Sequence, residues 1–95
     1  MPAFIVATVS ISDMTAFKEY SKTIEGVSEK YGGESIVKGS ITEMLEGSAP
    51  DDQRVVVSKF PDADSAKAYV NDPVYLDGKA KRKGAAIVDM RLIVV

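Results

Sequence analysis

Residues 31–47, YGGESIVKGSITEMLEG, decide how the rest of the chain is arranged. The paired glycines near the start of this stretch mark the end of a helix, because glycine adopts the left-handed conformation of a helix stop without steric cost. The β-branched and apolar residues that follow predict one long strand from Glu34 to Leu45. Gly39 interrupts this strand, and a lone glycine within a strand usually marks a bulge or a close backbone approach. We therefore expect the strand to bend at Gly39 and to re-aim the neighbouring Lys38.

Upstream of this stretch, a strand pattern gives way to a helix pattern. Residues Ala3 to Ile11 are dominated by β-branched and aromatic side chains and predict the first strand. Ser12 or Asp13 is expected to cap the helix that follows, because either side chain accepts hydrogen bonds from free backbone N–H groups. An apolar stripe with helical spacing then leads up to the paired glycines: Phe17, Tyr20, Ile24, Val27 and Tyr31.

Downstream of this stretch, turn residues separate the remaining elements. The loop from Gly47 to Gln53 is rich in residues that favour turns. Asp72 and Pro73 predict a further short helix, with Asp72 as its cap and Pro73 at its first position. The other elements are a strand from Arg54 to Phe60, a helix capped by Asp62 that runs through Val70, and a last strand from Ala86 to Val95.

The order of elements is therefore β-α-β-β-α-β, which is the ferredoxin-like split βαβ arrangement of the α+β class. Right-handed crossovers place both helices on the same side of an antiparallel sheet. A chain of 95 residues has the length of one domain. Residues 1–95 are expected to form a single ferredoxin-like unit.

The strands carry more apolar residues than one side of a sheet can hold. Ile5, Val9, Val55, Val57, Val88 and Leu92 compete with Phe4, Val6, Val56, Phe60, Ile87 and Ile93 for the helix-covered side. Strands that are apolar on both faces are strands buried on both faces. The simplest cover is a second copy of the chain, so we expect a two-fold symmetric homodimer, a dimeric α/β barrel.

Composition excludes several classes of function. The net charge of −2 opposes a general nucleic-acid role, which needs a basic face. The chain contains neither Cys nor His, which excludes disulfides, Cys-ligated metals, Ser-His-Asp triads and His-ligated haem. The longest apolar run near the start, Ala3 to Ala7, is too short for a signal peptide or a membrane helix. We expect a cytoplasmic protein with no metal, no bound cofactor and no membrane partner.

Several short motifs then form a recognisable pattern: YGG at 31–33, VKG at 37–39, LEG at 45–47, RVVV at 54–57, FP at 60–61, Asp72-Pro73-x-Tyr75 and Arg82. Their order and spacing resemble the domain of unknown function 1330 family, in the dimeric α+β barrel superfamily. The resemblance covers nearly the whole chain and implies a ferredoxin-like protomer whose sheet forms a barrel with that of a second copy. Two positions depart from the family pattern. Lys59 stands where an acidic residue is usual, and Asp72 stands where Ser is common.

The superfamily architecture implies a pocket between the sheet and the helices. The polar-tipped residues expected to reach it are Tyr20, Lys38, Ser58, Tyr69, Tyr75, Arg82 and Asp89. A structural role competes with several of these assignments. Tyr20 and Tyr69 fit as core aromatics, and Lys38 fits as a rim lysine that discourages sheet aggregation. Asp89 can pair with Arg91, which lies two residues further along the same strand.

Arg82 belongs to a basic run at the end of the short third helix, together with Lys79, Lys81 and Lys83. Such a run complements the negative end of a helix dipole, and it can also hold an anion such as a carboxylate or phosphate. The sequence leaves both interpretations open.

Two functions remain compatible with the sequence. The first is a homodimer in which each protomer binds a small organic molecule, with or without cofactor-free acid–base catalysis. The second is a non-catalytic structural or interaction module that acts through its dimer. An enclosed cavity with converging polar groups would favour the first, and an interior filled by apolar side chains would favour the second.

Overall fold

The computed structural model describes residues 1–95, in which one four-stranded antiparallel sheet carries all the helices on one side. The elements are β1 (Ala3–Ile11), α1 (Met14–Thr23), a 3-10 turn (Ser28–Tyr31), β2 (Glu34–Ser40), β3 (Arg54–Phe60), α2 (Ala63–Val70), α3 (Pro73–Lys81) and β4 (Ala86–Val94). The strand order is β2-β3-β1-β4. This topology is the ferredoxin-like α+β fold, as predicted. No helix has the length and apolar character that crossing a membrane requires.

The first helix is shorter than its apolar stripe predicted. Asp13 is its cap, and the Asp13 side chain accepts a hydrogen bond from the Ala16 backbone N–H at 3.2 Å. The helix stops at Thr23, and Gly26 then adopts a left-handed φ of 81°. The stripe continues through Ile24 and Val27 to Tyr31 in the 3-10 turn, which ends at Gly32, whose φ of 76° is the predicted left-handed stop.

The second strand ends at Ser40, so the prediction that it reaches Leu45 was wrong. Its partner β3 begins at Arg54, which pairs with Ser40, and beyond Ile41 no neighbouring strand remains to pair with it. The predicted irregularity exists, but it lies at Ile36, where the register shifts between the residues on either side. Gly39 pairs regularly with β3, so the expected bend there was also wrong.

The sheet register decides which strand residues share a face. Ile5 lies opposite Ser58 and Ala7 opposite Val56, and these residues point toward the helices together with Val9. We call this side of the sheet the helix side. The opposite side, the helix-free face, carries Phe4, Val6, Val55, Val57, Ile87 and Ile93. Both faces therefore carry apolar residues, as the sequence predicted, and the helix-free face also carries the charged residues Lys59, Asp89 and Arg91.

A close contact between α1 and α3 fixes the helix layer. A Cβ at Gly78, in the middle of α3, would lie 2.6 Å from Cγ2 of Ile24 and 3.3 Å from Cδ1 of Tyr20. Glycine lowers helix propensity by about 1 kcal/mol relative to alanine, so Gly78 disfavours the short helix that Asp72 and Pro73 predict. The helix nevertheless forms over nine residues, because the missing side chain lets the two helices approach.

Asp72 braces the 3-10 turn (Ser28–Tyr31) against α3. Its carboxylate caps α3 by accepting a hydrogen bond from the Val74 N–H at 2.8 Å. It also accepts hydrogen bonds from the Tyr31 hydroxyl at 2.6 Å and from Nζ of Lys30 at 3.0 Å. These donors, the tyrosine first, lower the pKa of Asp72 to about 2.

The Asp72 brace predicts an acid-dependent stability. Because its folded pKa of about 2 lies below the ordinary 3.8, its contribution is present above about pH 4 and is lost as the pH falls toward 2. We expect Asp72→Asn to lower the melting temperature at neutral pH and the difference from wild type to disappear in strong acid. Circular dichroism melts across this range measure both effects.

The matched control is Asp51→Asn, the same substitution at an exposed loop residue. It should leave the melting temperature unchanged throughout. Equal melting temperatures for the two variants at neutral pH would contradict the brace.

Candidate functional site

A cavity of about 750 Å³ lies between the helix side of the sheet and α1. We call it the first cavity. Its floor comes from all four strands, and its wall comes from α1, the turn that follows α1, and Tyr69 of α2. Every residue of β2 is exposed, so the cavity is open to solvent along this edge of the sheet.

The floor of the first cavity is apolar at its centre and cationic toward β2. Ala7 and Val56 form part of the apolar centre. Lys38 pairs with Val56 across the strands, and Arg54 comes two residues before Val56 on β3, so both cations share its face. The two ion pairs of the chain are Lys30–Asp72 and Lys81–Asp77, so neither cation of the floor has a carboxylate partner.

The wall of the first cavity presents aromatic rings and exposed charges. Phe17 and Tyr20 of α1 lie with their ring centroids 5.2 Å apart. Glu25 and Glu29 contribute carboxylates from the exposed turn, and Lys22 contributes a third cation. The cavity therefore combines an apolar centre with polar groups of both charges around its edge.

Two tyrosines of the first cavity are held in the neutral form. Burial is the main cause that raises the pKa of the Tyr20 hydroxyl well above its ordinary value, with the nearby Tyr75 adding to it. Burial likewise raises the pKa of Tyr69 to about 12. At neutral pH both phenols keep their protons, so each can donate a hydrogen bond to a ligand and neither can act as a base.

A buried cluster lies behind the wall. Nη1 of Arg82 donates a hydrogen bond to the Tyr75 hydroxyl at 3.0 Å, and the guanidinium carbon lies 4.7 Å from the centroid of the Tyr20 ring. The Tyr75 hydroxyl in turn donates to Sδ of Met90 at 3.5 Å. Since Tyr20 and Met90 both line the first cavity, the cluster supports two of its side chains from behind.

The structure brings together most of the residues that the sequence singled out. Four of them line the first cavity: Tyr20, Lys38, Ser58 and Tyr69. Tyr75 and Arg82 lie in the buried cluster and contact the cavity through Tyr20. Asp89 does not belong to the group, because it lies opposite Thr8 on the helix-free face. The expected ion pair between Asp89 and Arg91 is also not formed.

Sequence reasoning missed Arg54, Ser40 and Met90, all of which line the first cavity. A signal for Arg54 was present, because residues two and four apart in a strand share a face and Ser58 was already a candidate. Ser40 pairs with Arg54, so its place follows only once the register is known.

These observations agree with a known sequence family. The chain belongs to the domain of unknown function 1330 family. The match covers residues 2–95, which confirms the resemblance found in the sequence motifs. No curated protein matches the chain.

Several solved structures share the fold. A protein of unknown function from Rhodopseudomonas palustris is 24% identical, with a TM-score of 0.76 over 97% of this chain and 78% of that chain. A dimeric ferredoxin-like protein of unknown function from Jannaschia sp. CCS1 is 12% identical, with a TM-score of 0.77 over 100% of both chains. SnoaB, a cofactor-independent oxygenase from Streptomyces nogalater, is 12% identical, with a TM-score of 0.69 over 99% of this chain and 92% of that chain. Likeness at these identities establishes the ferredoxin-like fold and nothing finer.

The raised pKa of Tyr69 predicts a loss of stability in alkali. Its folded pKa of about 12 lies above the ordinary 10.0, so the unfolded chain releases the phenolic proton first. The contribution is present below about pH 10 and is lost as the pH rises to about 12. We expect the free energy of unfolding of Tyr69→Phe to fall less steeply than that of wild type across this window. Denaturant titrations at a series of pH values measure the slope, and parallel slopes for the two proteins would contradict the assignment.

Proposed function

We propose that residues 1–95 form one ferredoxin-like domain that works in the cytoplasm as a homodimer, each protomer binding a small organic molecule in its first cavity. The observation that carries this proposal is the cavity itself, with an apolar centre, unpaired cations and neutral phenols on its surface. Its volume of about 750 Å³ falls within the range of roughly 300–1,000 Å³ that is usual for small-molecule sites.

The lining determines which ligands fit. Ala7 and Val56 would contact an apolar body, and Lys38 and Arg54 would attract an acidic or electron-rich group at its end toward β2. Tyr20 would donate a hydrogen bond from the opposite wall. A flat or aromatic molecule with a carbonyl, phenol or acid group satisfies all three requirements.

The same groups define the acid–base catalysis that the cavity could add without a cofactor. Tyr20 and Tyr69 would stabilise a developing oxyanion by donating hydrogen bonds, because both phenols stay protonated at neutral pH. Glu25 and Glu29 at the exposed turn would serve as proton acceptors. The fold of SnoaB, a cofactor-independent oxygenase, is similar, and this likeness is an analogy at the level of fold.

Filling the first cavity tests ligand binding. Ala7 is buried in the floor, so Ala7→Leu would place three additional carbon atoms where a ligand should lie. The probe is 8-anilinonaphthalene-1-sulfonate, which combines aromatic rings with an anion and fluoresces in apolar surroundings. We expect saturable binding to wild type and binding weakened by about tenfold or more in Ala7→Leu, because a single excess methylene in an apolar site already costs about that much.

The matched control is Ala68→Leu, the same substitution at an exposed position of α2 that does not line the cavity. Its affinity for the probe should equal that of wild type. Equal binding by wild type and both variants would place the probe elsewhere and would reject the first cavity as the binding site.

The helix-free face supports the homodimer. Its strands present Phe4, Val6, Val55, Val57, Ile87 and Ile93, and Ile87 is 70% exposed in the single chain. Exposed apolar patches of this kind usually mark an interface. The molecule measures 32 × 30 × 15 Å, so its broad side can supply the roughly 800 Å² that each partner gives to a standard interface. The solved relative from Jannaschia sp. CCS1 is itself described as dimeric.

A charge on the helix-free face tests the dimer. Val57 lies on the central strand β3, opposite Val6, so Val57→Glu would replace an apolar side chain by a charged one within the interface. We expect its association constant to fall by about 100-fold or more. Sedimentation velocity at micromolar concentration should show twice the mass of one chain for wild type and the monomer for the variant.

Val74→Glu supplies the control, because Val74 is an exposed residue of α3 on the other side of the molecule. This variant should remain dimeric. A wild-type protein that sediments only as the monomer would reject the proposal.

A non-catalytic interaction module is the second candidate, and the extent of the apolar helix-free face favours it. The probe-binding experiment on the first cavity distinguishes the two candidate functions. A stable dimer whose first cavity binds no probe would support the module, whereas probe binding that Ala7→Leu abolishes would support the binding protein.

A further inference from the structure

Arg82 is a buried cation without a formal counter-charge. The residue is 7% exposed, at the C-terminal end of α3. Its one side-chain hydrogen bond to protein goes from Nη1 to the neutral Tyr75 hydroxyl, at 3.0 Å. Neither ion pair of the chain includes it. The Tyr20 ring and the negative end of α3 offset part of its charge, but neither carries a full negative charge.

A second cavity of about 490 Å³ lies beside Arg82, between α3 and β4. Leu76, Ala86 and Val88 are among the apolar residues that line it. The remaining charged groups of its lining are Lys79 and Lys83, both exposed and neither in an ion pair. Three positive charges and no carboxylate therefore line one concave surface.

The acidic group nearest in sequence does not neutralise these charges. Asp77 lies on the same helix, but its carboxylate contacts Nζ of Lys81 at 3.5 Å. Lys81 does not line the second cavity. A buried charge is costly unless it is paired, and a guanidinium with free N–H groups is well shaped to bind an oxyanion.

We propose that the second cavity binds a small organic anion, whose carboxylate or phosphate head contacts Arg82, Lys79 and Lys83. The apolar part of the ligand lies against Leu76, Ala86 and Val88. The site is separate from the first cavity, since Val88 is the one residue that lines both. This inference does not depend on the function proposed for the first cavity.

The test titrates the full chain with phenyl phosphate, an oxyanion on a short apolar ring, at constant ionic strength. Amide chemical shifts in two-dimensional NMR spectra report the location of binding. We expect saturable shifts at residues 76–88. Inorganic phosphate and benzoate, titrated separately, show whether the phosphate head, the carboxylate head or the ring contributes most of the affinity, and chloride should shift none of these amides.

Two single-charge variants distinguish binding in the second cavity from a general electrostatic attraction to the protein surface. Lys83→Met and Lys81→Met each remove one exposed positive charge from the same helix end, but only Lys83 lines the second cavity. We expect Lys83→Met to weaken phenyl phosphate binding by about fivefold, as for loss of one charge-assisted contact, and Lys81→Met to leave it within about twofold of wild type. Ala7→Leu, which fills the first cavity, should leave this affinity unchanged.

Three results would overturn the proposal. They are the absence of saturable shifts with phenyl phosphate, equal weakening by Lys83→Met and Lys81→Met, and loss of binding in Ala7→Leu. Arg82→Gln should abolish binding and supplies a further check. Should that variant fail to fold, the Lys83 and Lys81 pair decides the question alone.

Discussion

The close approach of α1 to α3 at Gly78 is the contact on which the rest of the structure depends. Glycine is needed there because any Cβ would lie within 2.6 Å of Ile24. The contact places the Tyr20 ring against the Arg82 guanidinium on one side and in the wall of the first cavity on the other. One missing side chain therefore positions a ring that lines the first cavity and contacts Arg82. Gly78 lowers the helix propensity of α3, but it stabilises the molecule because it lets α1 and α3 pack closely.

The sequence predicted the order of elements and most of their boundaries, because caps and turn residues act locally. Asp13, Asp62 and Asp72 each cap the helix that follows, and their side chains meet backbone N–H groups two or three residues away. The predictions that were wrong concern features that depend on pairing with residues distant in the sequence. The strand pattern beyond Ser40 is intact, yet β3 offers no partner there, so Leu45 lies 90% exposed outside the sheet. Local pattern cannot reveal where a neighbouring strand begins.

The candidate site was predicted by residue type and only partly by position. Tyrosines on a helical stripe were expected to be either core or site residues, and Tyr20 and Tyr69 are both: they are buried, and their rings line the first cavity. Asp89 was expected to reach the pocket, but it lies on the face opposite to that of Ser58. Relating the two residues requires the register of β4 with β1 and of β1 with β3. Ser40 was missed for the same reason, because its place follows from its pairing with Arg54. Register is a tertiary property, and it decides which polar side chains share a cavity.

The net charge of the chain conceals its local electrostatics. A sum of −2 opposes a general nucleic-acid role, but it averages over positions that the fold separates. Two ion pairs neutralise Lys30 and Lys81, whereas the cations of the two cavity linings have no such partners. Most of the acidic residues cap helices or lie in exposed turns. An acidic protein can therefore present a second cavity whose charged lining is wholly cationic and a first cavity whose cations lie toward β2. Small molecules with an acidic group suit such confined surfaces better than polymers with extended charge.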